Sequence, residues 1–356
     1  MYLKGIILLL GIFTSSLSFG QYNILRWYEG KSAAVSITFD GDFEGQINHG
    51  LPILKDNDFR ATYFITAENA NWKLLKKVIK ADQEIGSRSY NGYNLVKLST
   101  EEIEKEILKN LQAIQRIYPK VKCESFAYPF GVGSSVSAED QRVRNAVSKF
   151  HISARGFGRA GGYIGEYKNF DAYNENKKKE YDNYYYQIGS FGIQPSLKLK
   201  DFESILDDVN KEHGWFVPLY HSIEEKGLAR IPAETFSLQM AALKSRQEDL
   251  WVAPFAQVSK YIQERDAAKL VEISETEKEW KFRMYDDLPN ETFDQPLTIQ
   301  LRIPDGTIVK SIKQGGQKVD FLLGYKVVQF SVVPDAGDII LEKEPPPIEE
   351  VTGSVN

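Results

Sequence analysis

Between residues 33 and 266 short apolar runs alternate with amphipathic stretches of helical period. Residues 34–39 form an apolar run ending in acidic side chains, and residues 61–65 form a second; both have the length of a buried strand. Residues 72–81 carry helical spacing. Ser99-Thr100-Glu101-Glu102 has the spacing of a capping box and opens a helix predicted to reach Tyr118, with Ile103, Ile107, Leu108, Leu111 and Ile114 on one stripe. Further strands are predicted at residues 125–128, 151–154, 186–189 and 215–220, and helices at 199–212 and 234–246. This alternation predicts an α/β fold built on a parallel sheet, most economically a distorted (β/α) barrel.

After Arg265 the pattern changes. Period-two stretches at residues 280–284, 297–303 and 327–333 are separated by Pro-Asp-Gly, Gly-Gly and Asp-Ala-Gly turns. They predict a small antiparallel β-sandwich, so the expected domains are a barrel over residues 21–266 and an accessory β-domain over 267–344. Residues 345–356, with Pro345-Pro346-Pro347, read as a solvated tail. Lys4, the apolar run over residues 5–13 and Ser18-Phe19-Gly20 read as a signal peptide cut before Gln21, which predicts a periplasmic or secreted chain with no membrane anchor. The apolar run is about half of a bilayer crossing.

Composition narrows the chemistry. The formal charge of −5 gives no reason to expect nucleic acid. Cys123 is the sole cysteine, which excludes an internal disulfide framework and a thiolate zinc cluster. In a barrel, functional side chains project from the C-terminal ends of strands. Those ends supply Asp40, Asp42, Arg88, Tyr90, Tyr128, Phe130, Arg155 and His221, with Arg159 in the glycine-dense stretch that follows. Taken singly, Asp40 could cap a helix, Arg88 could join a surface ion pair and His221 could be a satisfied core histidine. A basic stretch at residues 177–179, among Tyr173, Tyr181, Tyr184, Tyr185 and Tyr186, reads either as a solvated charge run or as a border of the cleft.

Four segments carry a family resemblance. Thr38-Phe39-Asp40-Gly41-Asp42 resembles the T-F-D-D-G motif of the polysaccharide deacetylases, carbohydrate esterases with a distorted (β/α) barrel. Glu84-Ile85-Gly86-Ser87-Arg88, continuing through Tyr90 and Gly92 to Leu95, resembles the second motif, E-I-G-S-H-[ST]-x-x-H-x-x-L. Phe126-Ala127-Tyr128-Pro129-Phe130-Gly131 resembles F-x-x-P-Y-G, and Leu219-Tyr220-His221 resembles the closing L-x-H. The resemblance implies a catalytic base at Asp40, a catalytic acid at His221, and a divalent metal held by one acid and two histidines. Those three ligand places hold Gly41, Arg88 and Gly92. Two glycines offer no ligand, and a guanidinium has no lone pair to give. His49, His151 and His213 lack the motif spacing, so no metal and no cofactor is expected.

Deacetylation leans on a metal to polarise the carbonyl and activate water. Without one, the retained acid and base suit elimination across C4–C5 of a uronic acid, with Arg88 gripping the carboxylate and Tyr90 available to share proton transfer. Asp42, Tyr128, Phe130, Arg155 and Arg159 are expected to contact an anionic oligosaccharide. The altered motifs also resemble the metal-less oligosaccharide dehydratases of marine flavobacterial ulvan degradation. Two other readings stand beside this one: a metal-dependent or degenerate deacetylase, and a non-enzymatic glycan-binding protein.

Overall fold

A computed structural model of the protein describes residues 22–41, 44–133, 135, 137–157 and 184–344. The expected signal peptide and tail, Asp42, Arg159 and the basic stretch at 177–179 lie outside the described residues. The strands of the first part are β1 (Tyr22–Ile24), β2 (Ala33–Val35), β3 (Thr38–Asp40), β4 (Thr62–Ile65), β5 (Glu84–Ser87), β6 (Ser125–Ala127), β7 (Ser153–Arg155), β8 (Phe191–Gly192), β9 (Trp215–Phe216), β10 (Pro218–Tyr220) and β11 (Leu250–Val252). The helices are α1 (Leu51–Asp56), α2 (Trp72–Lys80), α3 (Thr100–Ile117), α4 (Ala138–Val147), α5 (Leu199–Lys211), α6 (Ala233–Lys244) and α7 (Phe255–Ala267).

A parallel sheet runs in the order β7-β6-β5-β4-β3-β10-β8, and a second, shorter one in the order β11-β2-β9. The apolar run at 34–39 is thus not one strand but two. Ser36 marks the break, its amide donating to the Phe216 carbonyl at 2.9 Å and its hydroxyl accepting from Trp215 Nε1 at 3.0 Å. The predicted strand at 215–220 breaks in step, into β9 and β10. Residues 186–189 form no strand. Ile188 bridges Arg155 of β7, and Ile193 donates to the Leu219 carbonyl at 2.9 Å, so this irregular segment joins the two edges of the long sheet into a distorted barrel.

Helix α3 begins at the expected capping box, Ser99 with Glu102. Ile103, Ile107 and Ile114 are buried as predicted, but Leu108 is exposed: it lies beside Ile107 on the helix, just past the buried stripe. Helix α4 escaped the sequence pattern because polar and charged residues dominate it, although Val143, Ala146 and Val147 are buried.

The C-terminal strands are β12 (Lys269–Glu275), β13 (Glu279–Tyr285), β14 (Leu297–Arg302), β15 (Ile308–Gln314), β16 (Gln317–Val319), β17 (Phe321–Gly324), β18 (Val327–Val332) and β19 (Asp338–Glu344). They form two antiparallel sheets, β1-β14-β18-β17 and β12-β13-β19-β15-β16. The expected partition at 266 needs a correction: β1, from the far N-terminal end, pairs with β14, Ile24 opposite Ile299, and so belongs to the sandwich. One hydrophobic core runs through both parts, with Trp215, Trp251 and Tyr261 packed together with Trp280, Phe282, Ile299 and Phe330. Among the described residues no helix is long and apolar enough to cross a membrane.

Candidate active site

Strands β3, β5 and β7 deliver Asp40, Arg88 and Arg155 to one end of the barrel, and β10 delivers His221. The pairing explains the convergence. Asp40 lies opposite Phe64 in β4, and Ser87, the last residue of β5, lies opposite Ile65. Asp40 is 2% exposed. Both nitrogens of the Arg155 fork reach it: Nη2 meets Oδ1 in a close ion pair and Nη1 lies 3.4 Å from Oδ2. Arg88 Nε approaches Oδ2 to 3.5 Å from the other side. Burial alone would raise the Asp40 carboxyl, but the charges of Arg155, then Arg88 and His221, outweigh it and hold the group below the usual carboxylate range. A carboxylate held this way is a weak base.

His221 shifts for a different reason. Burial chiefly disfavours its charged form, and Arg155 and Arg88 add to the effect, while Asp40 opposes it. Its pKa is lowered, so the imidazole is neutral at neutral pH and can accept a proton. Nδ1 is buried with no hydrogen-bond partner among the described residues.

The two arginines differ in what they leave free. Arg155 is 1% exposed, sealed under the site with its guanidinium 4.5 Å from the Phe64 ring centroid. It is a partner of Asp40 and not the cleft-lining contact the sequence suggested. The Arg88 side chain keeps 23% of its surface, and no acceptor takes its Nη1 or Nη2 among the described residues. Its backbone is fixed by donation to the Ile65 carbonyl at 3.0 Å, and the loop beyond it is pinned to α3. There Asn91 donates from N and Nδ2 to the Glu106 carboxylate at 2.9 and 2.6 Å, and the Tyr90 amide donates to the Glu106 carbonyl at 3.2 Å. Ser89 is buried with φ of +65°, a left-handed conformation that costs a serine energy and suits a constrained loop.

Tyr90 does not join the cluster. Its hydroxyl meets the Glu68 carboxylate, which pushes the phenol above its ordinary value, and its ring lies 3.6 Å from Lys109 Nζ. Tyr128 is buried in the core beside Phe126, its hydroxyl donating to the Tyr186 carbonyl at 2.9 Å. Phe130 is 68% exposed, with φ of +59°, in the short turn Pro129–Gly131 that follows β6. One participant gave no sequence signal: Gln46, whose amide bonds to the backbone of both Asp40 and His221.

The donors among the described residues do not suit a divalent ion. Gly41 and Gly92 sit in left-handed backbone with no side chain to offer, and two guanidiniums flank the remaining carboxylate. Among the described residues no group of three or more His, Cys, Asp or Glu side chains converges.

Residues 28–153 match the family model described as polysaccharide deacetylase. A gellan lyase of Bacillus sp. is 22% identical over 370 aligned positions, covering 94% of this chain and 14% of that protein. The peptidoglycan-N-acetylglucosamine deacetylase PgdA of Listeria monocytogenes is 28% identical over 129 residues, 32% of this chain and 28% of that protein. The chain thus spans less than a third of either relative. A family 4 acetyl xylan esterase from Clostridium thermocellum superimposes with a TM-score of 0.43 at 16% identity, over 63% of this chain and 89% of that one.

Proposed function

We propose, from the match of residues 28–153 to the polysaccharide deacetylase family model, that the chain is a carbohydrate-active enzyme that eliminates water across C4–C5 of a non-reducing-end uronic acid in an anionic, ulvan-like oligosaccharide. The observation that carries this reading is the charge of the cleft. Two guanidiniums, one carboxylate and a neutral imidazole leave a net positive charge among the described residues, and the unspent nitrogens belong to Arg88. A planar two-donor fork fits a carboxylate.

Chemically, Arg88 would neutralise the uronate carboxylate and stabilise the charge that develops on it as C5 loses its proton. His221, neutral and facing the same cleft, would take that proton. The C5–H electron pair becomes the C4=C5 bond and the C4–O bond breaks. The departing hydroxyl takes a proton, from the imidazolium so formed or from solvent, and leaves as water. Asp40 is assigned to holding the arginines, because its carboxylate is too well stabilised to serve as the base the sequence suggested.

Similarity to a protein named gellan lyase supports elimination and favours a second reading, in which the leaving group is a saccharide. Incubation with uronate-terminated oligosaccharides tests both. Loss of one water with a new ultraviolet-absorbing conjugated product is the expected result; a shortened chain with the same chromophore selects the second reading. Acetate released from an acetylated substrate with no chromophore would support a deacetylase instead, and tight binding with no product a glycan-binding protein.

A further inference from the structure

The parallel ladder between β3 and β10 pairs Thr38 with Leu219 and Phe39 with Tyr220, and there it stops. The next rung would join Asp40 and His221. At that point the chains diverge, Asp40 into Gly41 with φ of +76° and His221 into the loop that follows β10. Gln46 occupies the gap. Its Nε2 carries two hydrogens, and the two go to the carbonyls of Asp40 and His221, each at 2.9 Å. The side chain is 2% exposed, so the bonds are shielded from water. Gln46 opens a π-helical turn, Gln46–Gly50, a conformation that often marks functional sites. The preceding residue locks the turn in place. Gly45 donates to Glu225 Oε1 at 2.5 Å, and a Cβ on it would lie 1.9 Å from the Ile223 carbonyl oxygen, so only glycine permits this approach.

We propose that Gln46 is a positioning residue for the elimination, closing the strand ladder where the sheet cannot and fixing His221 relative to the Asp40–arginine cluster. The inference rests on the reaction proposed above, in which His221 accepts the proton. Both site residues lie at strand ends, where the backbone is otherwise free to splay, and a proton acceptor displaced by a fraction of an ångström loses rate without losing substrate affinity.

Two variants test it in the full-length protein. Gln46→Met removes both donors at similar volume. Gln46→Asn keeps an amide but is one methylene too short to span both carbonyls, and so guards against a simple folding failure. Each should lower kcat at least about tenfold with KM changed by less than about threefold, the split expected when orientation and not binding is lost. Turnover within about twofold of wild type, or a lower melting temperature alone, would overturn the proposal. If the wild-type chain turns over no uronate substrate, the reaction assignment fails, and the positioning role is then judged without activity. The imidazole nitrogen resonances of His221, assigned with His221→Asn, should move in both Gln46 variants and their titration should shift. Resonances and titration identical to wild type would refute the role.

Discussion

At the scale of the residue, Asp40 carries the largest electrostatic commitment, a buried carboxylate facing Arg155 with Arg88 behind it. Asp40→Asn removes the carboxylate from a buried ion pair and should cost about 3–5 kcal/mol of stability, measured by denaturant unfolding. His221 sets the pH behaviour. Its folded pKa lies below the ordinary value of 6.5, so the neutral form persists under mildly acidic conditions and the acid limb of kcat/KM should fall below pH 6.5. Arg88 is one of the charges that lower it; Arg88→Ala should therefore move the limb upward, while Asp40→Asn removes the charge that opposes the lowering and should move it down. The linkage has the same sign for folding: the His221 contribution is intact above pH 6.5 and is lost as pH falls toward the folded value. Asp40, Arg88 and His221 were legible in the sequence as motif positions at strand ends. The pairing of Arg155 with Asp40 was not, because it joins residues 115 apart, and an arginine at a strand end reads the same whether it faces a cleft or a neighbour.

At the scale of the element, the loop after β5 aims Arg88, and α3 holds that loop through Glu106. Glu106→Ala removes both bonds to Asn91 without touching the cluster. It should lower turnover by about ten- to a hundredfold through misplacement of Arg88, with circular dichroism unchanged; turnover equal to wild type would show the loop is held by other means. Element type was readable wherever period and capping agreed, as at Ser99–Glu102. The break at Ser36 was not readable. Every residue from Ala33 to Asp40 is buried, polar Ser36 and Thr38 included, so a lone serine between apolar neighbours does not mark the place where the strand passes from one sheet to the other. Gln46 was silent for a similar reason: its value lies in where the π-turn places an amide, and a lone glutamine carries no such information.

At the scale of the whole molecule, barrel and sandwich are bound by a common core and by strand β1, which crosses between them; a linear sequence reading assigns that strand to the wrong side because the pairing spans nearly the entire chain. The junction holds Glu264 at the end of α7, accepting from the Gln295 amide at 3.1 and 2.9 Å, its carboxyl pushed up by burial to about 8. A raised carboxyl contributes stability that is present at low pH and lost as pH rises from about 4.5 through about 8. Glu264→Gln keeps an acceptor and removes the ionisation, so its melting temperature should decline less than that of wild type across that window; parallel curves would place the titration elsewhere. The central claim concerns the role of Arg88, and one comparison tests it most directly: kcat/KM of wild type and Arg88→Ala on a uronate-terminated oligosaccharide and on the same molecule with its carboxylate reduced to an alcohol. The account predicts elimination by wild type from the uronate alone, and a loss of at least about 10²-fold on Arg88→Ala with that substrate. Equal turnover of the alcohol, or an Arg88→Ala variant as fast as wild type on the uronate, would contradict it.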